Sequence, residues 1–363
     1  MDRYSDYRRI ARSLGADAVA LVPGANFERL YNASFHSLER PLVVVIPVEG
    51  APVAIVPNLE LRSFEPLAFE GEVFDWRDQD GYSEAFAALA RHLPLKTLAV
   101  EGQVMRVFVH HALVTAIPGL QVLDAEREIS ALRRVKTADE IATMECAIAT
   151  SEKALAEVLE QVRIGQTEAE VQSFLTQALF RHGAEDHAFG PIVAGGDNSA
   201  RPHAHARVDY ALRDGDCLLF DFGARIGGLN ADITRTFFVG HAPDEAQEVY
   251  ETVLSANLRG IEATRPGVSA HDIDDAVTSV LEASRFADRI RHKTGHGLGR
   301  AVHEAPQVMR GNHEILEPGM VITVEPGLYA IGDLGIRIED DVLVTETGCR
   351  SLTTFPKDLT VIG

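Results

Sequence analysis

Two short segments of the chain repeat one pattern, in which an acidic residue interrupts an apolar run between two glycines. In GDCLLFDFG, Gly215 comes six positions before Asp221 and Gly223 comes two positions after it. GMVITVEPG repeats the same spacing around Glu325. Short apolar runs bounded by glycine are typical of buried strands. The pattern therefore predicts two strands that each carry a carboxylate into the interior of one domain.

Each of these strands is followed, after a turn, by a second segment with an acid at its end. Asp232 precedes ITRTFFV, and Glu339 follows GIRI. We therefore expect two β-hairpins of one design, from which four carboxylates converge. Desolvating even one carboxylate is costly, and mutual repulsion adds to that cost. The acids must either protonate or hold cations. Arg235 and Arg337 would balance only half of the charge, whereas two divalent ions would balance all of it.

The segment KTGHGLGRAVHEAP offers two histidines in a glycine-rich stretch. His296 lies between glycines, which allow close approach of the backbone, and His303 follows seven positions later. One imidazole with four carboxylates favours Mn, Fe, Co or Zn over copper or an iron–sulfur centre. Such a site supports metal-assisted hydrolysis, with Glu325 as a ligand that also shuttles the proton. We expect His303 to donate a hydrogen bond to the oxyanion or substrate carbonyl. A structural core histidine at 296 and a solvated loop histidine at 303 are the alternatives.

The whole chain divides into two regions of different character. Its 363 residues, 46% of them hydrophobic, are enough for two globular domains. Residues 1–125 alternate helix-like and strand-like segments, which predicts a small α/β domain. A helical region then leads through a linker, 126–136, into a second domain over 137–363. Strand-like runs bracket helices there, which predicts an α+β fold.

Charge and hydropathy exclude several classes of partner. The formal net charge of −20 repels nucleic acid and anionic lipid, because binding either requires a cluster of Lys and Arg. No apolar run approaches the ~18 residues of a membrane span, and the charged N-terminus is unlike a secretion signal. Three scattered cysteines indicate neither a disulfide framework nor a thiolate metal site. We therefore expect a cytoplasmic protein that binds neither nucleic acid nor membrane.

These motifs resemble those of the pita-bread metallopeptidases, which comprise methionine aminopeptidase, aminopeptidase P, prolidase and the metal-free creatinases. Asp221 and Asp232 are eleven positions apart, and GHGLGRAVHEAP, PGMVITVEPGLY and GIRIEDDVLV follow in the family's order. The resemblance is strong from about Leu132 onward, and the N-terminal region is more loosely similar to the creatinase-type N-terminal domain. It implies a pita-bread catalytic domain with the metal ligands Asp221, Asp232, His296, Glu325 and Glu339.

Within the family, the resemblance points to enzymes that cleave the bond before proline. Methionine aminopeptidases usually lack the N-terminal domain, and creatinases lack the metal ligands. The segment AFGPIVAGGDNSARPHAHA is similar to the stretch that holds a substrate-contacting histidine in prolidase and aminopeptidase P. That similarity implies His203, with His205 as the alternative. His292 and Arg337 match residues that line the substrate pocket in these enzymes.

A peptide bond before proline has no N–H and a fixed φ, so proteases that grip an extended strand bind it poorly. A prolidase also needs a cation for the carboxylate of its dipeptide. Some prolidases have an arginine after HE-x-P, where this chain has Gln307. Arg40 is the candidate instead, acting across a homodimer, because related enzymes complete their pockets with a loop from the partner.

Residues and resemblance together predict a cytoplasmic, homodimeric peptidase that hydrolyses Xaa-Pro dipeptides with two divalent ions, Mn, Co or Zn, with manganese favoured. We expect Glu325, His303 and His203 to be catalytic, and His203, His292 and Arg337 to contact the substrate. The alternative is an Xaa-Pro aminopeptidase that acts on longer peptides. A remote alternative from another class is a metal-free binding protein of the same fold, against which the presence of all five ligands argues.

Overall fold

The computed structural model describes residues 2–35 and 38–363. The chain forms two compact units, Met1–Arg133 and Arg134–Gly363. The first unit has an α/β fold and the second an α+β fold, as the sequence predicts. Among the described residues, no helix combines the length and the apolar character that crossing a bilayer requires.

In the first unit, one six-stranded sheet is packed between helices. Its order is β4-β3-β2-β1-β5-β6; the pairs β1–β2 and β2–β3 are antiparallel, and the other pairs are parallel. Separate cores lie on the two faces, because successive side chains of β1–β3 alternate between them. The elements are α1 Ser5–Leu14, β1 Ala18–Leu21, α2 Ala25–Tyr31, β2 Val43–Pro47, β3 Val53–Pro57, α3 Leu61–Phe64, β4 Glu72–Trp76, α4 Ser83–His92, β5 Thr97–Val100, α5 Val107–Ala116, β6 Gln121–Asp124 and α6 Glu126–Ser130.

The predicted linker, 126–136, differs from the structure in its first part. Residues 126–133 form α6 and a short 3-10 turn inside the first unit, because Ile129 is fully buried in that unit's core. The helical region then breaks, since Val135 forms a bridge with Met320. Helix α7 begins only after Thr137, whose side chain and that of Glu140 form the expected capping box.

The second unit combines helices with several small sheets, in which all strand pairs are antiparallel except the pair Ile233–Val239 and Val361–Ile362. Its elements are α7 Ala138–Leu159, α8 Glu168–Arg181, β7 Asp186–His187, β8 Ile192–Gly195, β9 Cys217–Phe222, β10 Ala224–Ile226, β11 Leu229–Asn230, β12 Ile233–Val239, α9 Asp244–Ala263, α10 Ala270–Glu282, β13 Gly295–Gly297, β14 Glu304–Val308, β15 Val321–Val324, β16 Gly327–Tyr329, β17 Gly335–Arg337, β18 Asp340–Val344, β19 Cys349–Ser351 and β20 Val361–Ile362.

Two of these sheets carry the acidic hairpins predicted from the repeat. Strand β9 pairs antiparallel with β12 in the sheet β20-β12-β9-β8. Strand β15 pairs antiparallel with β18 in the sheet β14-β13-β15-β18-β19. The two hairpins meet where Thr234 of β12 accepts a backbone hydrogen bond from Glu339. This junction brings the acidic ends of the strands together.

Candidate functional site

The junction of the two hairpins places three ligand-type side chains within reach of a single ion. Asp232, His296 and Glu339 are buried, and each offers one ligand atom within 4.8 Å of the other two. Asp232 and Glu339 stand immediately before β12 and β18, and His296 is the central residue of β13. Three elements distant in sequence therefore converge on one point.

Close backbone packing explains why glycines flank His296. A Cβ atom on Gly295 would lie 2.1 Å from the carbonyl oxygen of Thr323, and one on Gly297 would lie 2.3 Å from that of Ala305. Any larger residue at either position would therefore push β13 away from its neighbours. The GHG motif lets the strand lie close enough to β14 and β15 for its imidazole to face the acids.

Hydrogen bonding orients the His296 ring toward the acids. Its Nδ1 lies 3.0 Å from the carbonyl oxygen of Gly297, to which it donates. The other nitrogen, Nε2, lies 3.3 Å from Glu325 and 3.7 Å from Asp232. A backbone bond at Nδ1 is the usual device that presents Nε2 to a metal ion.

The remaining two predicted ligands lie in the same cavity. Asp221 is 9% exposed, and its Oδ1 is buried without a hydrogen-bond partner among the described residues. Glu325 follows β15, and Thr323 donates to its Oε1 at 3.3 Å. We call Asp221, Asp232, Glu325 and Glu339 the acid cluster. The unpartnered oxygen and the three convergent donors fit divalent cations, which are hard and prefer oxygen and imidazole ligands.

Electrostatics show that the acid cluster is unstable as four free carboxylates. Burial, reinforced by the neighbouring acids, raises the pKa of Asp232 and of Glu339 well above their usual values. Burial also raises the pKa of Asp221, although Arg337 opposes the shift. Burial opposes ionisation of Glu325 too, but the hydrogen bond and charge of His296 outweigh it and lower the pKa of Glu325 to about 2. Glu325 is therefore the acid that keeps its charge without a metal ion.

Only one of the two arginines considered above reaches the acid cluster. The guanidinium of Arg337 is buried against Asp221 and donates to Thr234 Oγ1 at 3.1 Å. Arg235 is also buried, but it pairs with Asp340 at 2.8 Å. Arginine thus neutralises one of the four charges, which leaves a strong local excess of negative charge.

A tyrosine that the sequence interpretation missed joins two predicted substrate residues. Arg337 Nη1 donates to the hydroxyl of Tyr329 at 2.7 Å, and that hydroxyl lies 2.7 Å from His292 Nε2. His292 Nδ1 lies 2.7 Å from the carbonyl oxygen of Lys293. Burial lowers the pKa of His292, so a neutral ring accepts from Tyr329. Tyr329 lies in an apolar strand whose sequence predicts only core packing, so no local signal marks it.

The cavity around these groups measures about 710 Å³. Its lining contains both loop histidines, His203 and His303; both are exposed, and the His303 ring lies 4.3 Å from that of His296. Burial and the charge of His296 lower the pKa of His303. The nine site residues predicted from the sequence all line this cavity, namely His203, Asp221, Asp232, His292, His296, His303, Glu325, Arg337 and Glu339.

Other residues considered above lie elsewhere. His205 is exposed and is not part of the described lining, so the cavity contains the first histidine of the pair. Arg40 belongs to the first unit, where Asp78 and Glu39 pair with it. Gln307 donates to the carbonyl oxygen of Glu304 at 3.2 Å. Two cations that the sequence interpretation did not select, Arg291 and Lys293, do line the cavity.

Two protein-family models and a relative match most of the chain. Residues 142–346 match the model of metallopeptidase family M24, and residues 3–135 match the creatinase/prolidase N-terminal domain. The chain is 34% identical to a probable dipeptidase PepE of Mycobacterium tuberculosis over 98% of its own length and 96% of that protein.

Solved structures agree with these matches along the whole chain. A prolidase from Thermococcus sibiricus superposes with a TM-score of 0.93 at 32% identity, and the match covers 100% of both chains. An X-Pro aminopeptidase from Thermotoga maritima gives a TM-score of 0.86 at 30% identity, again over 100% of both chains. The fold is therefore shared by relatives named for both kinds of peptidase.

Proposed function

Because the chain belongs to metallopeptidase family M24, we propose that it hydrolyses the peptide bond before proline, and that Xaa-Pro dipeptides are its main substrates. The observation that carries this proposal is one cavity that holds the acid cluster together with His296. Three cationic side chains line the same cavity, namely Arg291, Lys293 and Arg337. The names of the relatives support the substrate class, since they include dipeptidases and a prolidase.

The donor set supports two divalent ions, held by the acid cluster and His296, with manganese favoured over cobalt and zinc. When bound, such ions act as Lewis acids on the substrate carbonyl and lower the pKa of a water molecule. Glu325 carries the proton, because its carboxylate lies in the cavity 3.3 Å from His296 and beside the other acids. The nitrogen of proline must gain that proton before it can leave.

The loop histidines act on the substrate rather than on the ions. His303 stands beside His296 at the cavity edge, where it donates a hydrogen bond to the carbonyl oxygen of the bond that breaks. His203, on the loop that follows the 3-10 helix Gly196–Ala200, contacts the substrate from another part of the lining. His292 is held by Tyr329, so its position follows that of Arg337. Together these groups orient the scissile bond within the cavity.

The cations of the cavity favour a dipeptide over a longer peptide. Lys293 lines the cavity, and its ammonium group forms no hydrogen bond or ion pair with any residue in 2–35 or 38–363. A free carboxylate on proline would pair with it, whereas a peptide extended beyond proline has no charge at that position. Lys293 thus supplies the cation that Gln307 cannot.

The test compares Ala-Pro, Ala-Pro-amide and Ala-Pro-Ala as substrates. We expect kcat/KM to be highest for Ala-Pro, and Lys293→Met to lower that value roughly tenfold while changing the value for the amide little. Lys293→Arg keeps the charge and should keep the preference. Equal or better cleavage of the tripeptide by the unsubstituted enzyme would favour the aminopeptidase alternative.

Two further parts of the proposal rest on the sequence and the resemblance. The acidic, span-free sequence supports a cytoplasmic location, and the related enzymes that complete their pockets with a partner loop support a homodimer. Analytical ultracentrifugation of the full chain tests the second: a single species at monomer mass across micromolar concentrations would contradict it.

A further inference from the structure

The loop that carries His203 has little regular structure of its own. After the short 3-10 helix Gly196–Ala200, residues 201–207 form turns and irregular backbone. Pro202 and His203 line the cavity, and the His203 side chain is exposed. An exposed side chain on such a loop needs an external anchor to occupy one position.

A fully buried carboxylate provides that anchor behind the loop. Glu168, the first residue of α8, has no exposed surface. Its Oε1 accepts from the backbone N–H of Gly195 at 2.8 Å. Its Oε2 accepts from the side chain of Asn198 at 3.0 Å and from the backbone N–H of Arg207 at 2.6 Å. One carboxylate therefore ties both ends of the loop to one helix.

The guanidinium of Arg207 completes the anchor. Its Nε and Nη2 donate to the Glu168 carboxylate at 2.8 to 3.2 Å, and Nη2 also donates to the carbonyl oxygen of Gly195 at 2.9 Å. Nη1 donates to Asp197 at 2.9 Å, and the guanidinium carbon lies 3.8 Å from the ring centroid of Tyr210. The carboxylate is fully buried and the Arg207 side chain is 25% exposed, and an ion pair with this many satisfied hydrogen bonds allows few alternative arrangements.

Asn198, just before the loop, also forms a hydrogen bond to a residue that follows His203. The side-chain nitrogen of Asn198 that donates to Glu168 donates as well to the carbonyl oxygen of His205, at 3.0 Å. Residues on either side of His203 are thereby fixed to the same carboxylate. Arg337 adds a long contact of 3.4 Å to the carbonyl oxygen of Pro202, which faces the acid cluster.

We infer that Glu168 is a positioning residue for His203: its ion pair with Arg207 fixes the loop so that the imidazole stays in the lining of the cavity that also contains His303. Glu168 lies outside the cavity and acts only through the loop. The inference rests on the proposed function in one respect, since it requires His203 to contact the substrate.

A double-mutant cycle between Glu168→Gln and His203→Ala tests the inference. We measure kcat and KM with whichever of Ala-Pro and Ala-Pro-Ala the unsubstituted enzyme cleaves, so a wrong substrate preference does not affect the result. Losing a substrate hydrogen bond from His203 should lower kcat/KM about 10- to 100-fold. Glu168→Gln should lower it roughly tenfold alone and less than about twofold in the His203→Ala background.

The control is Ser151→Ala, which removes a buried hydroxyl that accepts from the backbone N–H of Ala224 at 2.8 Å, away from the loop. It should lower the melting temperature without lowering kcat/KM in either background. Arg207→Lys keeps the charge but loses the planar fork, so it repeats the cycle if Glu168→Gln does not fold. The histidine ring signals in NMR spectra provide a readout without turnover: the His203 signal should shift in Glu168→Gln and stay unchanged in Ser151→Ala.

Three results would overturn the inference while leaving the peptidase assignment intact. The first is an equal fold-loss from Glu168→Gln with and without His203. The second is unchanged kcat/KM in a folded Glu168→Gln variant. The third is unchanged kinetics in His203→Ala, because His203 would then have no contact that needs positioning. Failure of the unsubstituted enzyme to cleave either peptide would instead contradict the proposed substrate class.

Discussion

Both units of the chain bury acids, and they stabilise them differently. In the first unit, Glu101 is 2% exposed, and Asn26 donates to its Oε1 at 2.6 Å. Burial raises the pKa of Glu101 to about 7, and the charges that act on it, those of Glu126 and Arg133, oppose each other. A single acid in this position avoids the cost of burial by taking up a proton. The acid cluster of the second unit instead places four carboxylates beside His296, so protons alone would have to neutralise several neighbouring charges.

A buried acid is therefore not by itself evidence of a metal site. Glu101 Oε2 is buried without a partner among the described residues, as is Asp221 Oδ1 in the acid cluster. The two sites differ in the number and the direction of their donors. Asp232, His296 and Glu339 bring three ligand atoms within 4.8 Å of one another. Convergence of donors, rather than burial, separates a cation site from a protonated core residue.

Asp232→Ala should distinguish the acid cluster from Glu101 most clearly. Removing this carboxylate leaves the ions underliganded, so we expect a loss of kcat/KM of at least about a thousandfold, together with reduced metal content. Glu101→Gln removes an equally buried carboxyl group from the first unit and should leave both quantities unchanged. Metal analysis and peptide hydrolysis on the two variants check this pair. A fully active Asp232→Ala protein, or an inactive Glu101→Gln protein that still folds, would reverse the roles of the two sites.

Metal removal should expose the cost of the acid cluster as a function of pH. Because the pKa values of Asp232 and Glu339 are raised in the metal-free protein, its stability falls as pH rises above the usual carboxyl range. Metal binding requires these acids ionised, so affinity increases with pH. Manganese at one fixed concentration, a hundredfold above its Kd at pH 8, should raise the melting temperature by roughly 5–10 °C at pH 8 and by less at pH 5.5, where the Kd is higher.

Differential scanning calorimetry of the chelated and reloaded protein measures this shift. In the Glu101→Gln protein the shift should be the same, since Glu101 belongs to the other unit. An identical shift at both pH values would show that protons do not compete with the ions for the acid cluster.

The sequence predicted the acidic hairpins because those signals are local, whereas the family resemblance alone pointed to His203, His292 and Arg337. A carboxylate in an apolar run is conspicuous at one position, and a repeated spacing identifies its counterpart. The weak strand β4, Glu72–Trp76, was not predicted, because only Trp76 of its five residues is buried and no apolar pattern results. The early start assigned to the linker has a similar cause: Ile129 looks like an ordinary helical residue until the core that surrounds it is known.

Residues that act through distant partners left no signal of that kind. Tyr329 contacts His292, which lies 37 positions away, and Glu168 contacts Arg207, which lies 39 positions away. In sequence, the tyrosine resembles a core aromatic, and the glutamate resembles a favourable acid in the first turn of a helix. Their roles depend on tertiary contacts that neither periodicity nor spacing encodes. Lys293 left no signal either, because its place in the lining of the cavity also depends on the tertiary fold.

The smallest expected effect concerns Glu101 itself. With a folded pKa of about 7 and an ordinary unfolded value, this acid favours the folded state fully only below the unfolded pKa, and that contribution is lost as pH rises to about 7. Glu101→Gln removes the titration. It should therefore stabilise the first unit by roughly 2 kcal/mol more at pH 8 than at pH 5.

Urea unfolding of the full chain, followed by fluorescence of its single tryptophan, Trp76, reports on the first unit directly. The matched control is Glu126→Gln. It removes the charge of a partly exposed carboxylate that acts on Glu101, and it should change the pH dependence of stability much less. If the gain from Glu101→Gln is the same at pH 5 and pH 8, Glu101 does not titrate between them. Glu101 would then keep one protonation state across this range, and the contrast with the acid cluster would rest on the number of donors alone.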